Sequence, residues 1–311
     1  MTRRLLLALV AIAALGFLSG CSAAGSLHMA PVNDTALAEH ASQSTTDNTF
    51  SPRSIDRNRA GEIIENGSGT ILGPEPPLDT DLPYEHDRQY YALSAEVGER
   101  VSGTITLVRI DYNATNPNGT TIPFRDLSTA DKRELEPLLS GSPSRLRDGH
   151  EIDDLVVYTD AERENSLITA HGDEYVTVRY RGETYEIDVQ PFRSTTLKRY
   201  RYEPTRIANS SKAYATQVKD QYGFMLGGIN ESERQVLERA ISDGYYADST
   251  DDDAFGSLVE RFRRHESVTG DEYGGSWIVR YDGQWYWAEM DYGGFVEAAG
   301  ASETTPDATP N

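Results

Sequence analysis

The sequence has little cysteine and comparatively few basic residues. Cys21 is the only cysteine among 311 residues, so the chain can form no internal disulfide. Lysine and arginine together number 29 against 50 acidic residues, which gives a formal net charge of -21. Nucleic acids and anionic lipid headgroups are polyanions, so we do not expect either to be a partner of this chain.

The common catalytic signatures are also missing. There is no Gly-x-Ser-x-Gly elbow, no His-Glu-x-x-His pair, no phosphate-binding loop and no dinucleotide glycine pattern. We therefore predict no catalytic residue, no metal and no cofactor. A hydrolase that uses histidine and carboxylate side chains remains the alternative, and its candidates are His86, His150, His171 and His265.

The densest acidic cluster consists of Asp248, Asp251, Asp252 and Asp253. It lacks the glycine and the terminal glutamate of a calcium-binding EF-hand loop. Acidic side chains are favoured at the positive end of a helix dipole, so we interpret the cluster as the start of a helix. Weak cation binding is the alternative.

The longest apolar run is short and lies near the start of the chain. Residues 5–18 carry no charge and follow Arg3 and Arg4. A helix of that length spans about 21 Å, too little for the ~30 Å hydrocarbon core, which favours a signal peptide over a membrane anchor. The two arginines are similar to a twin-arginine export signal.

A lipidation motif ends the apolar run. Leu18-Ser19-Gly20-Cys21 resembles the lipobox of exported lipoproteins, in which the cysteine sulfur takes the lipid. Residues 1–20 are thus predicted to be a lipoprotein signal peptide. The lipid on Cys21 would hold the protein on the extracellular face of the cell membrane, because two alkyl chains anchor stably where one is marginal.

Two segments beyond the anchor have the composition of flexible chain. Residues 21–79 are rich in small and polar residues and show little apolar periodicity, so we predict a flexible tether. Residues 299–311 have the same character and are predicted to be a disordered tail.

The remaining sequence contains an internal repeat. Residues 127–136 align with 229–238, and each segment has a helix-capping residue followed by acids. Residues 178–185 align with 279–286, and both fit Val-Arg-Tyr-x-Gly-x-x-Tyr, a pattern typical of a β-hairpin. The offsets, 102 and 101 residues, agree, which favours a duplicated module.

These segments predict an α+β fold. We expect two related modules, residues 80–192 and 193–298, with antiparallel strands and helices packed on one face. In the second module, one apolar helix face is formed by Phe255, Leu258, Val259 and Phe262.

The repeated capped helix and hairpin resemble segments of exported haloarchaeal lipoproteins of unknown function. The many acids and only four lysines also resemble proteins of salt-loving archaea, although an ordinary acidic secreted protein is an alternative. The resemblance implies an extracellular compartment and implies no catalytic residue.

The second hairpin is rich in aromatic residues, namely Trp277, Tyr281, Trp285, Tyr286 and Trp287. Such residues either pack in the core of a sheet or form an exposed platform that binds sugars or a partner protein. The glycosylation sequons at Asn113 and Asn118 lie in a predicted loop and are candidate modification sites.

The sequence therefore favours a non-enzymatic, membrane-anchored lipoprotein of the cell envelope that binds an envelope glycan or protein through the second hairpin. A secreted hydrolase and a structural spacer of the envelope are the alternatives.

Overall fold

The computed structural model describes residues 23–46, 52–112, 121–140, 151–170 and 175–296. It has both helices and sheets, so the predicted α+β class is confirmed. The chain divides into two compact units. Unit 1 contains the described residues up to Ala41 and those from Lys212 onward, and unit 2 contains Ser42–Ser211.

The strands of the first half are β1 (Gly25–Pro31), β2 (Gln43–Ser44), β3 (Gly69–Gly73), β4 (Tyr84–His86), β5 (Gln89–Asp111), β6 (Thr121–Pro123) and β7 (Glu151–Thr159). Those of the second half are β8 (Tyr175–Tyr180), β9 (Glu183–Val189), β10 (Arg193–Ala208), β11 (Gly223–Met225), β12 (Tyr245–Ala247), β13 (Thr269–Gly270), β14 (Gly274–Tyr281) and β15 (Gln284–Asp291).

The helices are α1 (Asp34–His40), α2 (Pro52–Asn66), α3 (Thr129–Leu139), α4 (Asp160–Glu164), α5 (Leu167–Ala170), α6 (Ser211–Tyr222), α7 (Glu231–Ser242) and α8 (Asp253–Phe262). The four residues predicted to form the apolar face of α8 are all buried, which confirms that helix and its orientation. Among the described residues, no helix combines the length and the hydrophobicity needed to span a bilayer.

Unit 2 is organised around the long strand β5. The first part of β5 pairs with β4 and β10, and its last part pairs with β7 and β9. Side chains of α2, β5 and β10 share one buried cluster, which includes Ile63, Leu93 and Tyr202. A second cluster joins α3 to the hairpin of β8 and β9.

Unit 1 has a sheet in the order β11-β14-β15-β1-β12, with β13 beside β14. The core on one face of this sheet contains side chains of α7 and α8 together with Leu27, Met29 and Trp277. Helices also contact the opposite face, because His40 of α1 stacks on Trp287 with ring centroids 5.1 Å apart. The prediction from the sequence had helices on only one face of each sheet.

The two units share a strand arrangement. In unit 2 the order β6-β8-β9-β5-β7 matches that of unit 1 strand for strand. The first pair is parallel in both, with Ile122 opposite Val178 and Phe224 opposite Val279. The third and fourth strands are antiparallel in both, so that β1 occupies in unit 1 the place that the last part of β5 has in unit 2.

The matched helices and hairpins also have the same local geometry. Ser128 with Asp131 and Asn230 with Glu233 form capping boxes at the starts of α3 and α7, and both acids are buried. The hairpin turns at 181–182 and 282–283 have positive φ at both central residues, as a two-residue turn requires.

Two predictions of domain organisation are wrong for the described residues. Residues 25–46 and 52–79 were predicted to be tether, yet they include β1, α1, α2 and β3. The division between 192 and 193 is also wrong, because β10 pairs with β5 along most of its length within unit 2. Strands this short gain their stability from partners distant in sequence, so local periodicity does not show them.

Candidate functional site

The aromatic hairpin is mostly packed inside unit 1. Trp277 and Trp287 are only 3% and 4% exposed, so neither belongs to an exposed platform, contrary to that interpretation of the sequence. The indole N–H of Trp277 donates to the carbonyl oxygen of His265 at 3.2 Å. Tyr281, Trp285 and Tyr286 are half-buried.

Trp285 lies beneath two basic side chains. The Lys219 ammonium nitrogen is 5.7 Å from its ring centroid, and the Arg280 guanidinium carbon is 5.9 Å from it. Lys219 is also paired with Asp34 at 2.6 Å, which links α6 to α1. These contacts explain the half-buried state of Trp285 as packing between the sheet and α6.

Trp287 positions a carboxylate. Its indole N–H donates to Oε1 of Glu289 at 3.1 Å, while its ring is covered by His40. Residues two apart on a strand share a face, so Glu289 lies on the same face as Trp287. The buried tryptophan therefore restrains an exposed acidic side chain through one hydrogen bond.

Glu289 belongs to a row of polar residues across three strands. The register places it opposite His28 of β1 and opposite Ser276 of β14. The neighbouring row has Ser26 opposite Asp291. We call these five residues the open sheet face, since they line a cavity of about 510 Å³.

The rim of this cavity is built by the chain between β13 and β14. The Asp271 side chain accepts hydrogen bonds from the backbone N–H groups of Tyr273 at 2.8 Å and Gly274 at 3.0 Å. Gly275 must be glycine, because a Cβ there would lie 2.9 Å from both the Thr269 carbonyl oxygen and the Trp277 ring. The hydrogen bonds of Asp271 thereby define the turn that carries Tyr273 at the rim.

The cavity is lined by acidic side chains and by side chains that carry hydroxyl groups. Its lining includes Asp271, Glu289 and Asp291, together with the hydroxyl groups of Ser26 and Ser276. Of the described residues that line it, none is lysine or arginine. An anionic ligand would meet uncompensated like charge there, so a neutral or cationic ligand fits the lining better.

Unit 2 has a different arrangement at the matching positions. Arg109 of β5 occupies the position that corresponds to His28 of β1. It lies opposite Asp188 of β9 on one side and opposite Asp153 of β7 on the other. Its Nε and Nη2 donate to the two oxygens of Asp153 at 2.8 and 3.2 Å. These hydrogen bonds hold the pKa of Asp153 below its ordinary value. The matching face of unit 2 therefore pairs its own charges.

The acidic cluster of residues 248–253 starts a helix, as predicted. Asp252 caps α8 by accepting from the backbone N–H of Phe255 at 3.0 Å, and it also accepts from the Tyr245 hydroxyl at 2.5 Å. Burial, together with this hydrogen bond to Asp252, raises the pKa of Tyr245 to about 12. A cavity of about 470 Å³ lies beside the cluster. Within the described ranges, no group of three or more His, Cys, Asp or Glu residues is placed to hold a metal.

Of the four histidines named for a hydrolase, the structure describes two, His86 and His265, and they belong to different units. His86 belongs to unit 2, and its ring contacts Thr45 Oγ1 at 2.8 Å and Glu65 Oε1 at 3.5 Å. Thr45 is only 4% exposed, and its hydroxyl also donates to the Glu85 carbonyl at 3.1 Å. This set therefore joins a buried threonine and a partly buried histidine to an exposed glutamate, and it ties together segments of unit 2.

His265 belongs to unit 1, where it stacks on Phe224 at 3.9 Å. His150 and His171 lie outside the described residues, as do Cys21, Asn113 and Asn118. His28 and His40, which the tether prediction set aside, lie in β1 and α1.

Sequence reasoning missed the open sheet face because it placed His28 in a tether. A signal was available in Leu27-His28-Met29, where a polar residue lies between two apolar ones, as in Val108-Arg109-Ile110. Glu289 and Ser276 are ordinary polar residues of a strand, and only the pairing of β1 with β15 brings His28 beside them.

Comparisons of the chain with protein-family models, with curated proteins and with solved structures found no match. The resemblance to haloarchaeal lipoproteins consequently stays a prediction from the sequence.

Proposed function

We propose that this chain is a lipid-anchored protein of the extracellular membrane face that binds an envelope component through the open sheet face of unit 1. The anchor is proposed from the short apolar run and the lipobox that ends at Cys21. The binding role is proposed from one observation, namely that Glu289 is held by buried Trp287 within an open cavity.

The contrast between the units supports this choice of surface. In unit 2 the residue at the place of His28 is Arg109, which is paired with Asp153. A sheet face that served only the fold would be expected to pair its charges in this way. In unit 1 the row presents an oriented carboxylate, a histidine and hydroxyl groups to the cavity instead.

The same row favours binding over hydrolysis. In a serine hydrolase the imidazole lies between the hydroxyl and the carboxylate, so that it can take the proton from the nucleophile. Here the register places Glu289 between His28 and Ser276. The His28 imidazole is therefore separated from Ser276 by a whole strand, while Ser26 belongs to the neighbouring row.

The anchor is tested by replacing its sulfur. We expect Cys21→Ser to release the protein from membranes into the medium, because an oxygen cannot take the thioether-linked lipid. The measurement is immunodetection in membrane and medium fractions, with Ser22→Ala as the matched control. Retention of the Cys21→Ser protein on membranes would contradict the anchor.

The contact surface is tested with the released Cys21→Ser protein. We expect Glu289→Ala to weaken its binding to isolated cell envelopes at least tenfold, while Asp188→Ala, the matching change in unit 2, leaves binding unchanged. Melting curves check that both proteins stay folded. Equal binding by the two variants would reject the open sheet face and favour the spacer alternative.

A further inference from the structure

We infer that the ligand of the open sheet face is a neutral saccharide, an inference that rests on the proposed function. The cavity of about 510 Å³ lies within the range of roughly 300–1,000 Å³ that is usual for small-molecule sites. Its polar groups and its flanking rings each match one feature of a sugar.

The carboxylate of Glu289 matches a pair of sugar hydroxyl groups. Its Oε1 accepts the Trp287 N–H at 3.1 Å, which restrains the position of the carboxylate before a ligand arrives. Oxygens of an ionised carboxylate accept several hydrogen bonds, and bonds to a charged acceptor are roughly twice as strong as neutral ones. A pre-oriented acceptor also loses less conformational entropy when the ligand binds.

The serines and the histidine distinguish a sugar from an amine. The hydroxyl groups of Ser26 and Ser276 both donate and accept hydrogen bonds, and the His28 ring carries at least one N–H donor. Sugar hydroxyl groups can satisfy both roles, whereas an ammonium group only donates and would leave the donors of the cavity unused. The three lining carboxylates, Asp271, Glu289 and Asp291, disfavour sulfated or uronic sugars.

Two exposed tyrosines flank the polar rows. Tyr273 lies on the cavity rim and is 44% exposed. Tyr246 is opposite Ser26 on the edge strand β12 and is 67% exposed. Aromatic rings offer an apolar face with a polar tip, which suits the C–H face and the hydroxyl groups of a pyranose ring.

The first experiment asks whether the envelope component is a saccharide. Periodate cleaves vicinal diols, so we expect periodate-treated envelopes to lose at least tenfold in affinity for the released Cys21→Ser protein. If binding survives periodate but still falls in Glu289→Ala, the proposed function stands and the saccharide inference is overturned. If Glu289→Ala binds untreated envelopes normally, the proposed function itself fails.

The second experiment asks whether the saccharide is neutral. Calorimetric titration with maltotriose, cellotriose and mannotriose is compared with titration of glucosamine and glucuronate oligomers. We expect at least one neutral trisaccharide to bind, with a loss of tenfold or more in Tyr273→Ala and Glu289→Gln and no change in Asp188→Asn. Stronger binding of the amino or acidic oligomers, or no binding of any neutral one, would overturn the inference.

Discussion

Two buried carboxylates occupy matching positions in the two units. Asp131 accepts from the Ser166 hydroxyl and from the Leu167 N–H, and Glu233 accepts from the Ser257 hydroxyl at 2.6 Å and from Arg261 at 3.0 Å. Burial by itself would raise the pKa of Glu233, but its hydrogen bonds hold that pKa below the ordinary value. A capping acid thus also ties its helix to a distant segment.

Asp56 gives a prediction about pH at the residue scale. Burial raises its pKa from 3.8 to about 6, with Arg59 opposing the shift and Asp154 adding to it. Between pH 3.8 and about pH 6, the Asp56 carboxyl is ionised in the unfolded chain but still protonated in the folded unit. Folding stability is therefore lost as the pH rises through this window, and Asp56→Asn should remove that loss.

The measurement is the urea midpoint between pH 3.5 and pH 8. We expect the urea midpoint of Asp56→Asn to equal that of the unchanged protein near pH 3.5 and to be higher than it above pH 6. Glu96→Gln, an exposed change in the same unit, serves as the control for altered net charge. A constant difference across the whole range would contradict the assigned pKa.

At the scale of elements, the hairpin turns require glycine. Gly182 and Gly283 have φ of 90° and 80°, in the left-handed region that a side chain disfavours. We expect Gly182→Ala and Gly283→Ala each to cost about 1 kcal/mol in the free energy of unfolding. Gly227→Ala is the control, since a Cβ at that position would have no atom within 4 Å and its φ is not positive. Equal unfolding midpoints for Gly283→Ala and Gly227→Ala would exclude this turn geometry.

The strand β1 gives a second test at this scale. Met29 is fully buried between β15 and the helices of unit 1, although the sequence placed it in a tether. Met29→Ala should lower the free energy of unfolding by about 3 kcal/mol, which lies within the range for large-to-small substitutions in a core. Thr35→Ala, an exposed change in the adjacent helix, should cost almost nothing. Chemical unfolding measures both, and a negligible cost at Met29 would restore the tether interpretation.

At the scale of the whole molecule, unit 1 is discontinuous in sequence. Its interior strand β1 comes from residues 25–31, whereas its other strands follow residue 222. The segment 42–211 between them forms unit 2. Pairing of β1 with β15 closes a very long loop, which costs more chain entropy than a local hairpin and is expected to form late in folding.

Net charge sets the expected response of the whole molecule to salt. With 50 acidic and 29 basic residues, self-repulsion acts against the compact state at low ionic strength. The screening length falls from about 10 Å at 0.1 M to about 3 Å at 1 M, so we expect the melting temperature to rise over that range. Calorimetry in potassium chloride tests this, with potassium glutamate as a second salt. A melting temperature that is independent of salt would contradict it.

Patterns confined to a short stretch of chain were readable from the sequence. The capping boxes at Ser128 and Asn230, the turn at Asp282-Gly283 and the apolar face of α8 each depend on neighbours within a few residues. Such features are determined by local sterics and hydrogen bonding, which the residue order specifies directly. The α+β class followed from the same local patterns.

The place of β1 and the candidate site were decided only by the tertiary structure. His28 lies in sequence more than two hundred residues from Ser276 and Glu289, and strand pairing alone brings the three into one row. The burial of Trp287 likewise depends on α1, which a tether would not have supplied. Side chains alternate across a strand whatever its partners, so the sequence determined which residues share a face, and only the fold determined which face stays open.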